Sequence, residues 1–379
     1  MTLPNLARDA GRYLGAAVVI ILATASSGCA TRPGPEVLTP VASAPGVKQR
    51  PIYVTTTRKR ADPSDNIFTS DSAGTLNYAR FVVGIPPHHK QGQIEWPDGR
   101  TNSGVNFTTI EQVVLTDTEF RDAVAPSKPS RRVKKQNVLI FVHGFNNNFQ
   151  ESLYRMAQID TDAAFNGNAI LFAWPSKGDP TRYEEDKAAS VASRDYLIEV
   201  LATVASSPQV GEIMVIAHSM GGMLVAETLR ELRLQRRDRV IARLSRVVLA
   251  SPDIDAQVFQ SQVQTIGPLK PPMTVLVSKD DAALKLSGFL SGSRVRAGAL
   301  DIDNPLVQQA ALKAKVQIID ISELKSPNGG MHHDRLFALA ALYPRLQSQP
   351  AEERQRYGTF LLDAASAKPI EVIRHATAD

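Results

Sequence analysis

Six short apolar runs, 138–142, 169–174, 213–216, 247–250, 273–277 and 316–321, constrain the fold of this 379-residue chain more than any other feature. None alternates apolar with polar residues, so each suits a strand covered on both faces, as parallel strands are. Helical patterns fall between and after them: Leu197, Val200, Leu201 and Val204; Leu224, Val225, Thr228, Leu229 and Leu232; Leu336, Leu339, Ala340 and Tyr343. Strand and helix in alternation predict an α/β fold, a doubly wound and mostly parallel sheet. A hydrophobic content of 43% with 21% charged residues excludes disorder as the main state.

The first residues carry Arg8 and Arg12, then an apolar run over 14–25, then Ser26-Ser27-Gly28-Cys29. About a dozen apolar residues fall short of the roughly 20 that cross a bilayer, so 1–28 reads as an export signal. Cys29 is the only cysteine and has no internal partner. Ser-Gly-Cys followed by Ala30 resembles the bacterial lipoprotein signal, with Ser26 where an aliphatic residue is usual. Lipidation at Cys29 is therefore expected, and with it a membrane anchor in the cell envelope facing the periplasm; the rival is cleavage after Ala25 and a soluble periplasmic protein. A Pro- and Gly-rich linker is expected over 29–50 and a β-rich lead-in joining the sheet over 51–135. The catalytic core is expected over 136–348 and a tail over 349–379. The net charge of +5 is dispersed; its densest stretch, 230–246, reads as a solvated helix end, and no motif supports nucleic-acid binding.

Open parallel sheets place their chemistry at the carboxyl ends of strands. Beyond 213–216 comes Ala217-His218-Ser219-Met220-Gly221-Gly222, a strand turning tightly into a helix between small residues. Such a turn presents its serine as a nucleophile, although Ala217 stands where glycine is usual. The hydroxyl needs an imidazole to take its proton and a carboxylate to orient that imidazole. Of seven histidines, His88 and His89 lie in the lead-in, His375 in the tail and His143 in another motif. His218 adjoins the serine, and its side chain is expected to point away. His332 and His333 remain, and His333-Asp334-Arg335 reads as a helix start, which favours His333. For the acid, Asp280 and Asp281 follow 273–277, and Asp253 follows 247–250; Asp280 or Asp281 could instead cap the next helix. His143-Gly144-Phe145-Asn146-Asn147 follows 138–142, so the main-chain amides of Phe145 and Met220 are the candidate oxyanion donors. No spacing supports a metal, and no phosphate loop or dinucleotide fingerprint supports a cofactor.

The order Ser, Asp, His is that of the α/β-hydrolase fold. These residues resemble that superfamily and, more narrowly, the bacterial family called domain of unknown function 900. The likeness rests on Ile52-Tyr53-Val54-Thr55-Thr56-Thr57-Arg58, Gly84-Ile85-Pro86-Pro87-His88, His143-Gly144-Phe145-Asn146-Asn147, Phe172-Ala173-Trp174-Pro175-Ser176, Ala217-His218-Ser219-Met220-Gly221, Ser251-Pro252-Asp253-Ile254-Asp255, Asp281-Ala282-Ala283-Leu284 and His333-Asp334. It implies Asp281 as the acid and His333 as the base, and supplies no substrate. Trp174-Pro175-Ser176 and Ser251-Pro252-Asp253 read as structural strand ends. The expected activity is a serine esterase or lipase acting on a small-molecule or lipid ester through an acyl-enzyme. An acyltransferase and a non-catalytic envelope binding protein are its alternatives. Insertions over 256–272 and 285–315 are too short for a large cap, so an open site is expected.

Overall fold

The computed structural model describes residues 32–126, 135–292, 294–324 and 332–337. Among them, nine strands form one sheet in the order β3-β2-β1-β5-β4-β6-β7-β8-β9. The strands are β1 (Lys48–Arg60), β2 (Phe68–Ile85), β3 (Thr108–Leu115), β4 (Gln136–Val142), β5 (Gly167–Ala173), β6 (Val210–His218), β7 (Leu244–Ala250), β8 (Thr274–Val277) and β9 (Gln317–Asp320). β1 to β2 and β2 to β3 are antiparallel, and every other pairing is parallel. The expected doubly wound, mostly parallel sheet is therefore what forms, with the six apolar runs in β4 to β9.

The helices are α1 (Asp117–Val124), α2 (Phe149–Asp162), α3 (Tyr183–Ala192), α4 (Arg194–Ser206), α5 (Met220–Leu234), α6 (Ala256–Ile266), α7 (Ala282–Leu290) and α8 (Pro305–Ala314), with a single turn at Asp238–Ile241. Successive side chains of a strand point to opposite faces. Val138, Ile140 and Val142 of β4 thus enter a core with Leu197, Val200 and Leu201 of α4 and Leu224, Val225 and Leu229 of α5. Leu139 and Phe141 enter a second core with Phe149, Leu153 and Met156 of α2, Ile52 and Val54 of β1, and Phe81 and Val83 of β2. Burial on both faces is why these runs show no alternation in sequence.

Register brings the strand exits level. Val142 pairs with Ala217, Ala217 with Leu249, His218 with Ala250, and Ala250 with Leu276. The loops after β4, β6, β7 and β8 therefore leave one edge of the sheet side by side, where an open parallel sheet collects its functional groups.

The segment before the core holds more structure than its sequence announces. The linker expected over 29–50 carries two elements where described: Pro35–Leu38 forms a 3₁₀ turn with Val37 and Leu38 buried, and β1 already begins at Lys48. The Tyr154 hydroxyl donates to Val37 O at 2.6 Å and pins the turn to α2, a tertiary contact that two apolar residues among prolines do not announce. The lead-in also holds a third strand, β3, at the sheet's edge. Cys29, the export signal over 1–28 and the tail over 349–379 lie outside the described residues.

Candidate active site

Ser219 is the turn between β6 and α5. Its backbone sits at φ 53°, ψ −121°, a strained conformation for a residue with a side chain, and the residue is buried. The neighbouring strand end holds the strain. Ser219 N–H donates to Ala250 O at 2.9 Å, and Ser219 O accepts from Gly222 N at 2.9 Å and Asp253 N at 3.2 Å. The turn also needs missing side chains. A Cβ on Gly221 would lie 2.6 Å from Val142 O and closer still to His143 O; one on Gly144 would lie 2.9 Å from Ser219 Cβ. The serine and the loop after β4 are therefore packed main chain against main chain.

The loop after β8 joins the expected aspartates to the expected histidines in two separate pairs. Asp281 is fully buried and uses both oxygens: Oδ1 accepts from Leu284 N at 3.0 Å as the cap of α7, and Oδ2 lies 2.7 Å from His333 Nδ1. Capping and orienting are thus not alternatives. A carboxylate only accepts, so Nδ1 carries the proton and Nε2 keeps a lone pair for a hydroxyl proton. Burial works against a charged His333, but the hydrogen bond and charge of Asp281 outweigh it and raise the imidazole above its ordinary value. Asp280 is half exposed and bound differently. Arg335 grips both of its oxygens, Ser278 Oγ donates to Oδ1 at 2.8 Å, and His332 Nδ1 lies 2.9 Å from Oδ2. The Arg335 hydrogen bonds drive its carboxyl far below the usual range.

Asp253 meets neither histidine in a hydrogen bond. Its buried carboxylate accepts from Tyr183 Oη at 2.9 Å and Ser287 Oγ at 2.7 Å, and pairs with Arg296 Nε at 3.2 Å. His218, expected to point away, lies against the candidate base. Its ring centroid is 4.6 Å from that of His333, and its Nε2 donates to His333 O at 2.9 Å. Burial, with the charge of His333 second, lowers His218 to about 3, so it stays neutral and steadies the His333 backbone. The contact spans 115 residues, and no local pattern in the sequence signals it. Among the described residues, the hydrogen bonds of His333 run to Asp281 and His218, and its bond to the Ser219 hydroxyl is one that catalytic groups often complete only in the substrate complex.

Of the two candidate oxyanion donors, Met220 N–H is the first of α5, one of the amides a helix leaves without an internal partner. Phe145 lies in the loop after β4, its ring edge-on to Tyr183 at 5.2 Å. Behind that loop His143 stacks on Trp174 at 4.8 Å, with its ring nitrogens 2.9 Å from Gly144 O and 3.0 Å from Trp174 O. Burial, helped by the charge of Arg58, lowers His143 to about 3, so it is a neutral prop rather than a second base.

A family model for alpha/beta hydrolases of unknown function, DUF900, matches residues 122–349, more than half of the chain. The chain belongs to this family. No curated protein sequence matches this DUF900 hydrolase. Solved structures similar to it include an esterase from Pyrobaculum calidifontis, at 11% identity over 79% of this chain and 87% of that one with a TM-score of 0.37. Est1E from Butyrivibrio proteoclasticus matches at 13% over 55% and 86%, TM-score 0.34. LpqC, a poly(3-hydroxybutyrate) depolymerase from Bordetella parapertussis, matches at 16% over 59% and 86%, TM-score 0.34. Likeness at that level transfers neither a site residue nor a substrate.

Proposed function

We propose that this DUF900 hydrolase cleaves carboxylic esters through an acyl-enzyme on Ser219. His333 Nε2 takes the hydroxyl proton as Oγ attacks the ester carbonyl, and Asp281 holds the ring and stabilises its positive charge. The oxyanion is met by the amides of Phe145 and Met220. His333 then gives the proton to the leaving alcohol, and water attacks the acyl-enzyme by the same steps in reverse, freeing the acid and the serine. The observation that carries the reading is the Asp281–His333 hydrogen bond beside a strained serine turn. Small or surface-presented esters suit it. From the sequence pattern around Cys29, the protein works as a lipid-anchored enzyme of the bacterial envelope.

Fluorophosphonate labelling tests the chemistry: the unaltered protein takes one label and hydrolyses short-chain p-nitrophenyl esters, and Ser219→Ala does neither. Labelling that survives Ser219→Ala defeats the proposal, and an inert unaltered protein returns the scaffold to a binding role. Products trapped with added alcohols distinguish hydrolysis from acyl transfer. Anchorage is separate: Cys29→Ala moves the protein out of the membrane fraction, and unchanged membrane association contradicts lipidation.

A further inference from the structure

Resting on the serine-hydrolase reading above, we propose that Asp186, working through Ser176, is a positioning residue for the oxyanion loop. The residues that follow Phe145 have no ladder or helix of their own to fix them, yet an oxyanion donor is effective only if aimed beforehand. Polar contacts fix both peptide planes around Phe145. Gly144 O accepts from Asn147 Nδ2 at 3.3 Å and lies 2.9 Å from His143 Nδ1, the nitrogen that donates to it in the Nδ1–H tautomer of the neutral ring. Because a trans peptide is planar, with its N–H opposite its C=O, those contacts aim the Phe145 N–H the other way. The next peptide is held at both ends, by Asn147 Nδ2 donating to Phe145 O at 2.7 Å and by Asn146 N donating to Asp186 Oδ2 at 3.2 Å.

Asp186 is the hub of this arrangement. It is fully buried on α3, where Tyr183, Asp186 and Ser190 form the buried face. Besides Asn146, it accepts from Ser176 Oγ at 2.5 Å and Lys177 N at 2.6 Å, while Ser176 Oγ accepts from Asn147 N at 3.2 Å. Consecutive loop amides are thus drawn to one carboxylate, one directly and one through a hydroxyl. Arg58, also buried, closes the far side by donating from Nη2 to Asn147 O at 2.9 Å, and its charge interacts favourably with that of Asp186. A bare buried carboxylate behind an oxyanion hole would oppose the developing negative charge; the nearby guanidinium offsets it. The chemistry calls for a carboxylate. Three donors converge on it, and an asparagine must turn its own N–H₂ toward at least one of them.

The test uses Asp186→Asn and Ser176→Ala in the full chain. Active sites are counted by fluorophosphonate, kcat and KM are measured on a p-nitrophenyl ester, and inhibition is measured with a phenylboronic acid, which forms a tetrahedral anion on the serine. In Asp186→Asn, kcat per labelled site falls about 10- to 100-fold with KM changed by less than about 2-fold, and boronate affinity weakens by a similar factor to kcat. Ser176→Ala moves the same quantities in the same direction, by less. A lower melting temperature with kcat per site and boronate affinity unchanged shows Asp186 to be structural only and overturns the inference; should Asp186→Asn not fold, Ser176→Ala decides by the same comparison. If the unaltered protein takes no label and cleaves no ester, the reading of Ser219 fails and this inference falls with it.

Discussion

Asp280 and Asp281 are adjacent and chemically identical, yet the folded chain separates them sharply. Asp281 is buried, caps α7 and holds His333; Asp280 is half exposed and tied to Arg335. Asp281→Asn keeps the cap, since asparagine caps a helix as well as aspartate does. It removes the charge that fixes the tautomer of His333, so kcat falls on the order of 10,000-fold while the protein stays folded. The pH profile reports the same change. The base must be neutral, so kcat/KM rises with pH through the His333 pKa, which lies above 6.5 in the free enzyme. Without Asp281 the effect of burial is opposed only by the weaker charges of Asp253 and Asp334, and the acidic limb moves to lower pH. Asp280→Asn leaves rate and limb nearly unchanged; a loss as large as that of Asp281→Asn would exchange their roles. Spacing along the chain does not separate the two, and only the family resemblance favours Asp281, because what separates them physically is Arg335 and His333, each more than fifty residues away.

At the scale of elements, the parallel strands were legible because double burial leaves an unbroken apolar run, and a strand exit followed by small residues marks a turn. The antiparallel lead-in was legible only where it is buried. β2 runs for 18 residues, but its first half is polar and partly exposed, and β3 lies at an edge with Glu111 and Gln112 in its middle, so neither shows a clean period. The sequence names candidate residues for the site but none of the supports around them. Arg58, Ser176 and Asp186 come from three separate segments and meet only in the fold. The β6–α5 turn carries its own prediction. Gly221→Ala drives a methyl group into the carbonyls of Val142 and His143, which as main chain of a central strand end cannot swing aside. Overpacking of this kind costs about 1–3 kcal/mol. Urea denaturation measures that loss, and turnover falls too because the strand end shifts the loop that carries Phe145. A Gly221→Ala protein as stable and active as its parent would mean that the turn is looser than its geometry requires.

Across the whole molecule, the lead-in and the α/β core share one sheet, and a partly buried charge cluster ties them together away from the candidate site. His89 lies beyond β2, with Nδ1 2.8 Å from Glu95 Oε2 and Nε2 3.0 Å from Asp162 Oδ1 at the last residue of α2. Gly92 N donates to the other Asp162 oxygen at 2.7 Å, and Phe107 packs edge-on to the imidazole at 5.1 Å. Only the protonated ring donates from both nitrogens, and it also faces the negative pole of α2. Burial disfavours that cation, but hydrogen bonds and charges from Asp162 and Glu95 outweigh it and raise His89 to about 9. The folded pKa is thus above the unfolded value of about 6.5, so between the two the folded state binds more protons and stability falls as pH rises. The contribution is full below about pH 6.5 and gone above about pH 9, and solvent screening of this half-buried site holds its size to the order of 1–2 kcal/mol. On the acid side, burial of Glu95 is outweighed by its bond to His89, which lowers its carboxyl, so that part of the stability is lost as pH falls. Urea denaturation of the unaltered protein and of His89→Gln between pH 6 and pH 9.5 isolates the cluster. Glutamine cannot donate to both carboxylates as a cation, so the variant is less stable at pH 6, and the two stability curves converge as pH passes 9. Curves that run parallel across that range would mean that His89 is not protonated in the folded protein.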